Sequence, residues 1–346
     1  MSSVAPNGVP RAVLYTAAER SRLAPDLLVA SRLRGYLQAL GNIAIFLGVL
    51  LLARDARTAW QILALFVASG FALHRLFFPV HDCIHYSLFP SRGENRFFGA
   101  ILSGLLGTSF DAIRDQHLDH HRDFGTPEDP GAADYFPRFH SRRQLVVFLA
   151  GPLLGSILIA KLGDYVRPTG NKRAPRGEQV PAPISLSKRL SAYAPLFIVQ
   201  AGVCALLTHG FQIAQLWRYI AFNALPAVTI FLFLIRLRMF LEHGALNYDV
   251  CNYAEGKRPT ARTIYASSWE RLLLCGSDFN YHHEHHLYPV VPGRQLKRLH
   301  QKLLASGLDP EDVRVSYFQA LAEIWSNLGD TSSRLPERSP GGSDKR

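Results

Sequence analysis

The chain has 346 residues, of which 48% are hydrophobic and 19% are charged, and its mean hydropathy is +0.04. This composition is too apolar for an ordinary soluble protein and too polar for a bare membrane bundle, so it predicts a membrane domain with a substantial aqueous part. The net charge of +11 comes from Lys and Arg that flank apolar segments without forming arrays with interleaved aromatics. That pattern argues against nucleic-acid binding.

Four apolar segments are long enough to form membrane helices, and they cover residues 36–53, 59–80, 191–208 and 219–235. Each has about 20 residues, which is the length that crosses the hydrocarbon core. The predicted fold class is therefore an all-α integral membrane protein with four transmembrane helices, interfacial helices and a cytoplasmic helical cap. The predicted organisation is a cytoplasmic N-terminal segment (1–35), a membrane domain with its aqueous part (36–328) and a disordered tail (329–346).

Two shorter apolar stretches, 97–110 and 144–160, are predicted to lie along or re-enter the membrane surface. Residues 161–190 carry seven Lys or Arg against two acidic residues, and two arginines directly precede the second stretch. Both ends of that stretch are therefore expected on the positively charged inner side of the membrane. With four crossings, the polar segments next to the second and fourth spans then face the cytoplasm together.

Nine of the 14 histidines fall into three short motifs, and eight of these nine have the helical spacing of candidate ligands. These eight are His81 and His85 in HDCIH, His117, His120 and His121 in HLDHH, and His282, His285 and His286 in HHEHH. Residues three or four apart lie on one side of a helix. Imidazole is a preferred ligand of first-row transition metals. A single tetrahedral ion needs only about four ligands, so eight imidazoles predict a binuclear metal centre.

A ninth ligand is expected at His243, which follows the fourth apolar segment. The alternative is an interfacial histidine paired with Glu242. Asp82, Asp119, Glu284 and Asn280 are candidates to accept the second ring N–H of a ligand and so to fix its tautomer. Asp82, Asp119 and Glu242 are candidates to balance the positive charge of the ions from just behind the ligands.

The remaining histidines are predicted to have other roles. His283 points about 100° away from its neighbours on a helix and is left out of the site. His74 lies inside the second span, where a packing or substrate-channel role is expected. His140, His209 and His300 are interpreted as ordinary surface residues.

The three motifs, their order and their place among the apolar segments resemble the membrane fatty acid desaturase superfamily, which includes acyl desaturases, lipid hydroxylases and carotenoid ketolases. The resemblance covers roughly residues 36–305. It implies a non-haem di-iron centre that uses O₂ as co-substrate and is held by the eight motif histidines. Some members draw a further histidine from just after the last span, which corresponds to His243. Acyl-CoA members place an asparagine one turn earlier, where this chain has Met239.

The activity implied by the resemblance is a membrane-bound oxidoreductase that introduces a C=C bond into a lipid or fatty acyl chain. The four cysteines form no CxxC pair and no haem motif is recognised, so a separate ferredoxin- or cytochrome b5-like electron donor is expected. The expected location is a bacterial inner membrane rather than the endoplasmic reticulum, because no retention signal closes the chain.

Other functions remain open at this point. The same scaffold suits a hydroxylase or a ketolase, and a desaturase of a small, amino-acid-derived amphiphile is a further possibility. A metal transporter belongs to a different class and would place its ligands near the membrane midplane. Only His74 and Arg75 are ionisable within residues 59–80, and the histidine motifs lie at the ends of the spans. This placement favours an enzyme.

Overall fold

The computed structural model describes residues 26–160 apart from 127, 136 and 138, then 186–243, 261–307, and 313–328 apart from 315. In this part of the chain the only strands are β1 (Thr263–Ile264) and β2 (Val313–Arg314), which pair in parallel. The helices are α1 (Arg32–Arg54), α2 (Ala59–Ile84), α3 (Arg92–Leu105), α4 (Phe110–Asp123), α5 (Ala132–Tyr135), α6 (Arg142–Ala150), α7 (Leu186–Leu207), α8 (Ile213–His243), α9 (Ser268–Leu274), α10 (His282–Leu287), α11 (Leu296–Ala305) and α12 (Tyr317–Asn327). The predicted all-α membrane fold is confirmed. The predicted tail and most of the N-terminal segment lie outside the described residues.

Among the described residues, four helices are long and apolar enough to cross a membrane, namely α1, α2, the Leu190–Leu207 part of α7, and α8. They match the four predicted spans, but α8 has 31 residues and is much longer than the predicted span. Its middle contains two π-helical stretches, Ile220–Ala224 and Ala227–Phe231. They flank Pro226, whose ring removes one backbone hydrogen-bond donor from the helix. The extra length carries α8 on to His243.

The helices begin where the sequence provides a hydroxyl side chain. Thr58 accepts a hydrogen bond from the backbone N–H of Gln61, and the Gln61 side chain returns one to the Thr58 backbone. Serines cap the N-termini of six further helices, namely Ser31, Ser91, Ser109, Ser141, Ser267 and Ser316. Each cap satisfies a backbone donor that the helix leaves free and contributes about 1 kcal/mol.

The short helix α3 packs against α7, one of the four helices that can span a membrane. Gly104, near its C-terminal end, packs against Val199 in the middle of α7. The Gly104 carbonyl also accepts a hydrogen bond of 2.6 Å from Gln200 Nε2. These contacts join the end of α3 to the middle of a helix that can span a membrane. The interfacial position of residues 97–110 stays a prediction.

The second short stretch is interrupted, as its Gly-Pro pair predicts. Helix α6 continues as a 3₁₀ turn at Gly151–Leu154, and Gly155 then adopts a left-handed conformation with φ of 75°. The side chains of Val147 and Leu154 are 62% and 84% exposed, so this element presents an apolar face outward. Its re-entrant path stays a prediction, because residues 161–185 lie outside the described part of the chain.

The segments after α8 pack against the C-terminal ends of α2 and α8. Helix α11 is amphipathic, and its buried Leu296, Leu299 and Leu303 contact the cluster around Phe279. Helix α12 packs its Tyr317 and Ile324 on the end of α8. These elements enclose α10, which carries the third histidine motif.

Candidate metal centre

Four helices bring nine imidazoles to one place. His81 lies in the last turn of α2 and His85 is its C-cap residue. The second motif occupies the C-terminal half of α4, the third forms most of α10, and His243 is the last residue of α8. All nine residues predicted as ligands from the sequence therefore meet, although their roles as ligands stay a prediction.

The first group of imidazoles, here called site I, is formed by five residues. Their ligand nitrogens all lie within 4.8 Å of one another; the members are His81, His85, His117, His121 and His285. The Nε2 atom of His117 is 2.9 Å from that of His85 and 3.1 Å from that of His121. The His121 Nε2 atom is in turn 2.9 Å from the Nε2 of His285. Site I is thus a convergence of Nε2 atoms from three helices.

The second group, here called site II, contains His120, His243 and His286, whose ligand atoms also lie within 4.8 Å of one another. The His243 Nε2 atom is 3.0 Å from the Nε2 atoms of both His286 and His282, and we count His282 as part of site II. The rings of His121 and His286 are 4.4 Å apart, so the two sites adjoin.

This arrangement fits metal ions better than a hydrogen-bond network. Two nitrogens that each lie about 2.1 Å from one ion at a right angle are about 3 Å apart, as the Nε2 pairs are. The Nε2 atoms of His81 and His120 are buried with no hydrogen-bond partner, although buried polar atoms are normally satisfied. A bound ion accounts for both observations, and two neighbouring groups suit two ions.

Burial also keeps the imidazoles in the protonation state that a metal needs. Loss of water contact lowers the pKa well below its usual range for His117, His121, His282, His285 and His286, and lowers the pKa of His85 to about 3. The rings are therefore neutral at neutral pH and can offer a lone pair to a cation.

A carboxylate stands behind His120 in site II. The Nδ1 atom of His120 is 2.9 Å from both carboxylate oxygens of Asp129, which also accepts hydrogen bonds from the Tyr135 hydroxyl and from the Gly131 backbone N–H. Burial alone would raise the pKa of Asp129, but its hydrogen bonds, above all the one with His120, lower it. This contact fixes His120 with Nε2 directed toward the other imidazoles.

Glu242 supports the other side of site II. It forms two hydrogen bonds of 2.8 and 2.9 Å with Arg238 and accepts one from the Tyr317 hydroxyl. One carboxylate oxygen of Glu242 is 3.5 Å from His282 Nδ1, which is an ion-pair distance rather than a hydrogen bond. His243 is oriented separately, because its Nδ1 atom lies 3.2 Å from the Met239 carbonyl oxygen.

The other residues that were predicted to accept a ring N–H of a ligand form hydrogen bonds with groups other than the nine imidazoles. Asp82 accepts hydrogen bonds from the Gly293 backbone and the Gln38 side chain. Asn280 donates to the Ile264 carbonyl at 2.7 Å, joining β1 to the start of α10. These two residues position the third motif through the backbone. Asp119 is not brought to the imidazoles: it pairs with Arg122 at 2.7 Å and its side chain is 45% exposed.

The prediction for His300 is wrong. It is 4% exposed, its Nδ1 atom is 2.6 Å from a carboxylate oxygen of Glu284, and its Nε2 atom is 2.8 Å from the Tyr265 hydroxyl. Glu284 also accepts a 2.7 Å hydrogen bond from Thr263. His300 lies on the apolar side of α11, between Leu299 and Leu303, and this helical spacing was the available signal. It anchors α10, since Glu284 stands between the ligand candidates of that helix.

The remaining histidines lie outside both sites. His283 faces the Ala261 carbonyl. His74 is fully buried beside Phe78, with ring centroids 5.0 Å apart, in keeping with a packing role. His209 is not an ordinary surface residue, because its Nδ1 atom accepts a hydrogen bond from Arg54 at the far end of α1.

Comparison with known proteins identifies the family to which the chain belongs. The profile of the family described as fatty acid desaturase matches residues 58–319. A beta-carotene ketolase of Paracoccus sp. (strain N81106 / MBIC 01143) is 26% identical over 224 residues, which are 63% of this chain and 70% of the ketolase. A provisionally assigned sphingolipid delta(4)-desaturase/C4-monooxygenase of Caenorhabditis elegans is 24% identical over 72% of this chain and 60% of its own length. A fatty acid desaturase of Bacillus subtilis (strain 168) is 24% identical over 254 residues, which are 68% of this chain and 66% of that desaturase.

Proposed function

Because the chain belongs to the fatty acid desaturase family, we propose that it is a membrane-bound di-iron oxidase that uses O₂ to introduce a C=C bond into a lipid or fatty acyl chain. The family makes the protein an oxidoreductase on a desaturase, hydroxylase and ketolase scaffold. The observation that supports a di-iron centre is the convergence of nine imidazoles in two adjoining groups at the ends of membrane helices.

The bound ions would activate O₂, and O₂ would supply the oxidising power that attack on an unactivated C–H bond requires. The protein's own contribution is to hold neutral imidazoles with their Nε2 atoms inward and to keep water away from them. Phe279 lies 4.5 Å from His81 between ring centroids, and Phe124 lies 4.6 Å from His286. These rings give the centre apolar walls on two sides, and an apolar wall excludes water while accepting a hydrocarbon chain.

An apolar substrate suits the approach to site I. His81 is one turn beyond Phe77 and Phe78 on a helix that can span the bilayer, and the Phe77 ring packs against Phe231 of α8 at 6.4 Å. A hydrocarbon chain in the same leaflet would meet these side chains before it met the imidazoles. Positioning of successive carbons against the centre would then select which hydrogens are removed.

The electron donor, the sidedness and the compartment belong to the proposal as well. The basic segment 161–190 and the arginines at 142 and 143 support a cytoplasmic active side by the positive-inside rule. Positively charged inner loops also suit an acidic ferredoxin- or cytochrome b5-like donor. The ketolase and the fatty acid desaturase that the chain resembles come from bacteria, which supports a bacterial inner membrane.

Insertion of oxygen is the second candidate function. Its support is the similarity to the beta-carotene ketolase, since a hydroxylase or a ketolase requires the same first step on a C–H bond. The two outcomes differ in where the substrate carbon lies relative to the centre, which a family relationship does not specify.

Mass spectrometry of reaction products tests both candidates. The iron-loaded protein in lipid nanodiscs is given O₂, a reductant, a ferredoxin and lipids from the membrane of a bacterial host. A product that lacks two hydrogens supports the desaturase, and a product that gains oxygen supports the second candidate. The His117→Ala variant should give neither, whereas His140→Ala, which changes an exposed histidine, should behave as the wild type. Iron-loaded wild-type protein that oxidises no lipid would contradict the proposal.

A further inference from the structure

The two sites differ in what stands behind their imidazoles. In site II, His120 contacts the Asp129 carboxylate and His282 lies 3.5 Å from the Glu242 carboxylate. The Nδ1 atoms of His81 and His285 in site I are buried with no hydrogen-bond partner, as is the Nδ1 atom of His282 in site II. Within the described part of the chain, none of the five site I imidazoles forms an ion pair with a carboxylate. The negative charge near the centre is thus concentrated on one side.

Asp129 contributes more uncompensated negative charge beside site II than Glu242 does. The charge of Glu242 is matched by the buried guanidinium of Arg238, which binds it through two nitrogens. Asp129 has a fully buried side chain, and its only ion-pair partner among the described residues is His120. Its other contacts are the Tyr135 hydroxyl and the Gly131 N–H, which carry no net charge. Its negative charge is therefore available to a cation on the other nitrogen of His120.

A carboxylate that accepts the N–H of one ring nitrogen makes the other ring nitrogen a stronger metal ligand, and it fixes the orientation of the ring before the metal binds. The Nε2 atom of His120 is buried and unpartnered, so a cation at that point would satisfy an atom that has no other contact. In site I, five neutral rings alone must stabilise a doubly charged ion in a region shielded from water. Binding an ion there is therefore less favourable than binding it in site II.

We propose that the two metal sites are inequivalent and that Asp129, acting through His120, makes site II the site that binds its ion first and more tightly. This inference rests on the proposed di-iron function and adds an order of loading to it. Asp129 is a positioning residue, because it reaches the metal only through His120.

A titration of metal-free protein with Co²⁺ in detergent, under anaerobic conditions, tests this order. Visible absorption follows the bound Co²⁺. Wild-type protein should bind in two resolved phases. Asp129→Asn should weaken the first phase by about 10–100-fold, as loss of a contact behind a ligand typically does, and leave the second nearly unchanged. His81→Ala should instead remove the second phase.

Asp119→Asn is the matched control, since it changes a carboxylate on the same helix as His120 that pairs with Arg122 and not with an imidazole. It should retain both phases. Tyr135→Phe, which removes one donor to Asp129, should weaken the first phase by a smaller factor and provides a milder test if Asp129→Asn does not fold. A single phase in the wild type, or equal behaviour of the two Asp→Asn variants, overturns the inference. A wild-type protein that binds no Co²⁺ and no iron would contradict the proposed function itself.

Discussion

Tyr317 donates its phenolic hydrogen to Glu242, and this bond joins α12 to the residue that precedes His243. Both side chains are buried. Burial raises the pKa of Tyr317 well above its usual range, so the hydroxyl stays protonated and remains a donor. The C-terminal part of the described chain thus contributes to site II without supplying a ligand.

Replacing Tyr317 with Phe should lower the stability of the protein by about 1–3 kcal/mol, because the buried carboxylate of Glu242 loses a hydrogen bond without gaining water. The melting temperature in detergent measures the effect. Tyr36→Phe is a suitable comparison, since the Tyr36 hydroxyl bonds the partly exposed Glu94, where water can take its place. Equal melting temperatures for the two variants would contradict a structural role for the Tyr317–Glu242 bond.

Replacing His120 with Ala should reduce the iron content of the purified protein and abolish turnover, since it removes a candidate ligand of site II. Iron is measured by elemental analysis and turnover by product mass spectrometry. His140→Ala alters an exposed histidine and should leave both quantities unchanged. Full activity with a full complement of iron in His120→Ala would rule out the ligand assignment of this residue.

Replacing His300 with Ala should destabilise the protein by about 1–3 kcal/mol, because the buried Glu284 carboxylate loses its closest partner. We expect a direct effect on stability. Metal content should fall only to the extent that α10, which carries three ligand candidates, is no longer held in place. Thermal unfolding of the metal-free protein separates the two effects. A melting temperature as high as that of His140→Ala would show that the Glu284–His300 pair does not anchor α10.

Cys275 should resist alkylation across the pH range in which exposed thiols react. Burial raises its pKa to about 12, with Arg238 partly opposing this rise, so the reactive thiolate is scarce at the pH of about 8.5 where a free cysteine is half ionised. Raising the pH through that value should increase labelling of the unfolded protein far more than labelling of the folded protein. Peptide-resolved mass spectrometry after iodoacetamide treatment measures this. Fast labelling of Cys275 in folded protein would contradict its buried position.

The sequence alone was sufficient to predict the four spans and the meeting of the eight motif histidines, because both depend on local pattern. Hydropathy over about 20 residues identifies a span, and spacing of three or four residues places imidazoles on one face of a helix. The extension of α8 to His243 was harder to predict from the sequence, because its π-helical stretches depend on how α8 packs against neighbouring helices. One such fit is visible at Gly70, where a Cβ atom would overlap Ile230 of α8.

The contacts behind the ligands could not be predicted from local pattern. Asp129 is nine residues from His120, in the loop after α4, where no local spacing relates it to an imidazole. Tyr317 is 75 residues from Glu242. Proximity to a motif led instead to Asp119, which lies beside His120 in sequence but points toward Arg122. Adjacent residues on a helix face different directions, so long-range packing decides which carboxylate supports a ligand.

The most direct test of the central claim is the metal content of protein purified after growth with iron-57, measured by elemental analysis together with Mössbauer spectroscopy. Two adjoining groups of imidazoles predict about two iron ions per chain that are close enough to be magnetically coupled. Protein from iron-replete medium that contains only zinc, or a single isolated iron, would contradict a di-iron centre.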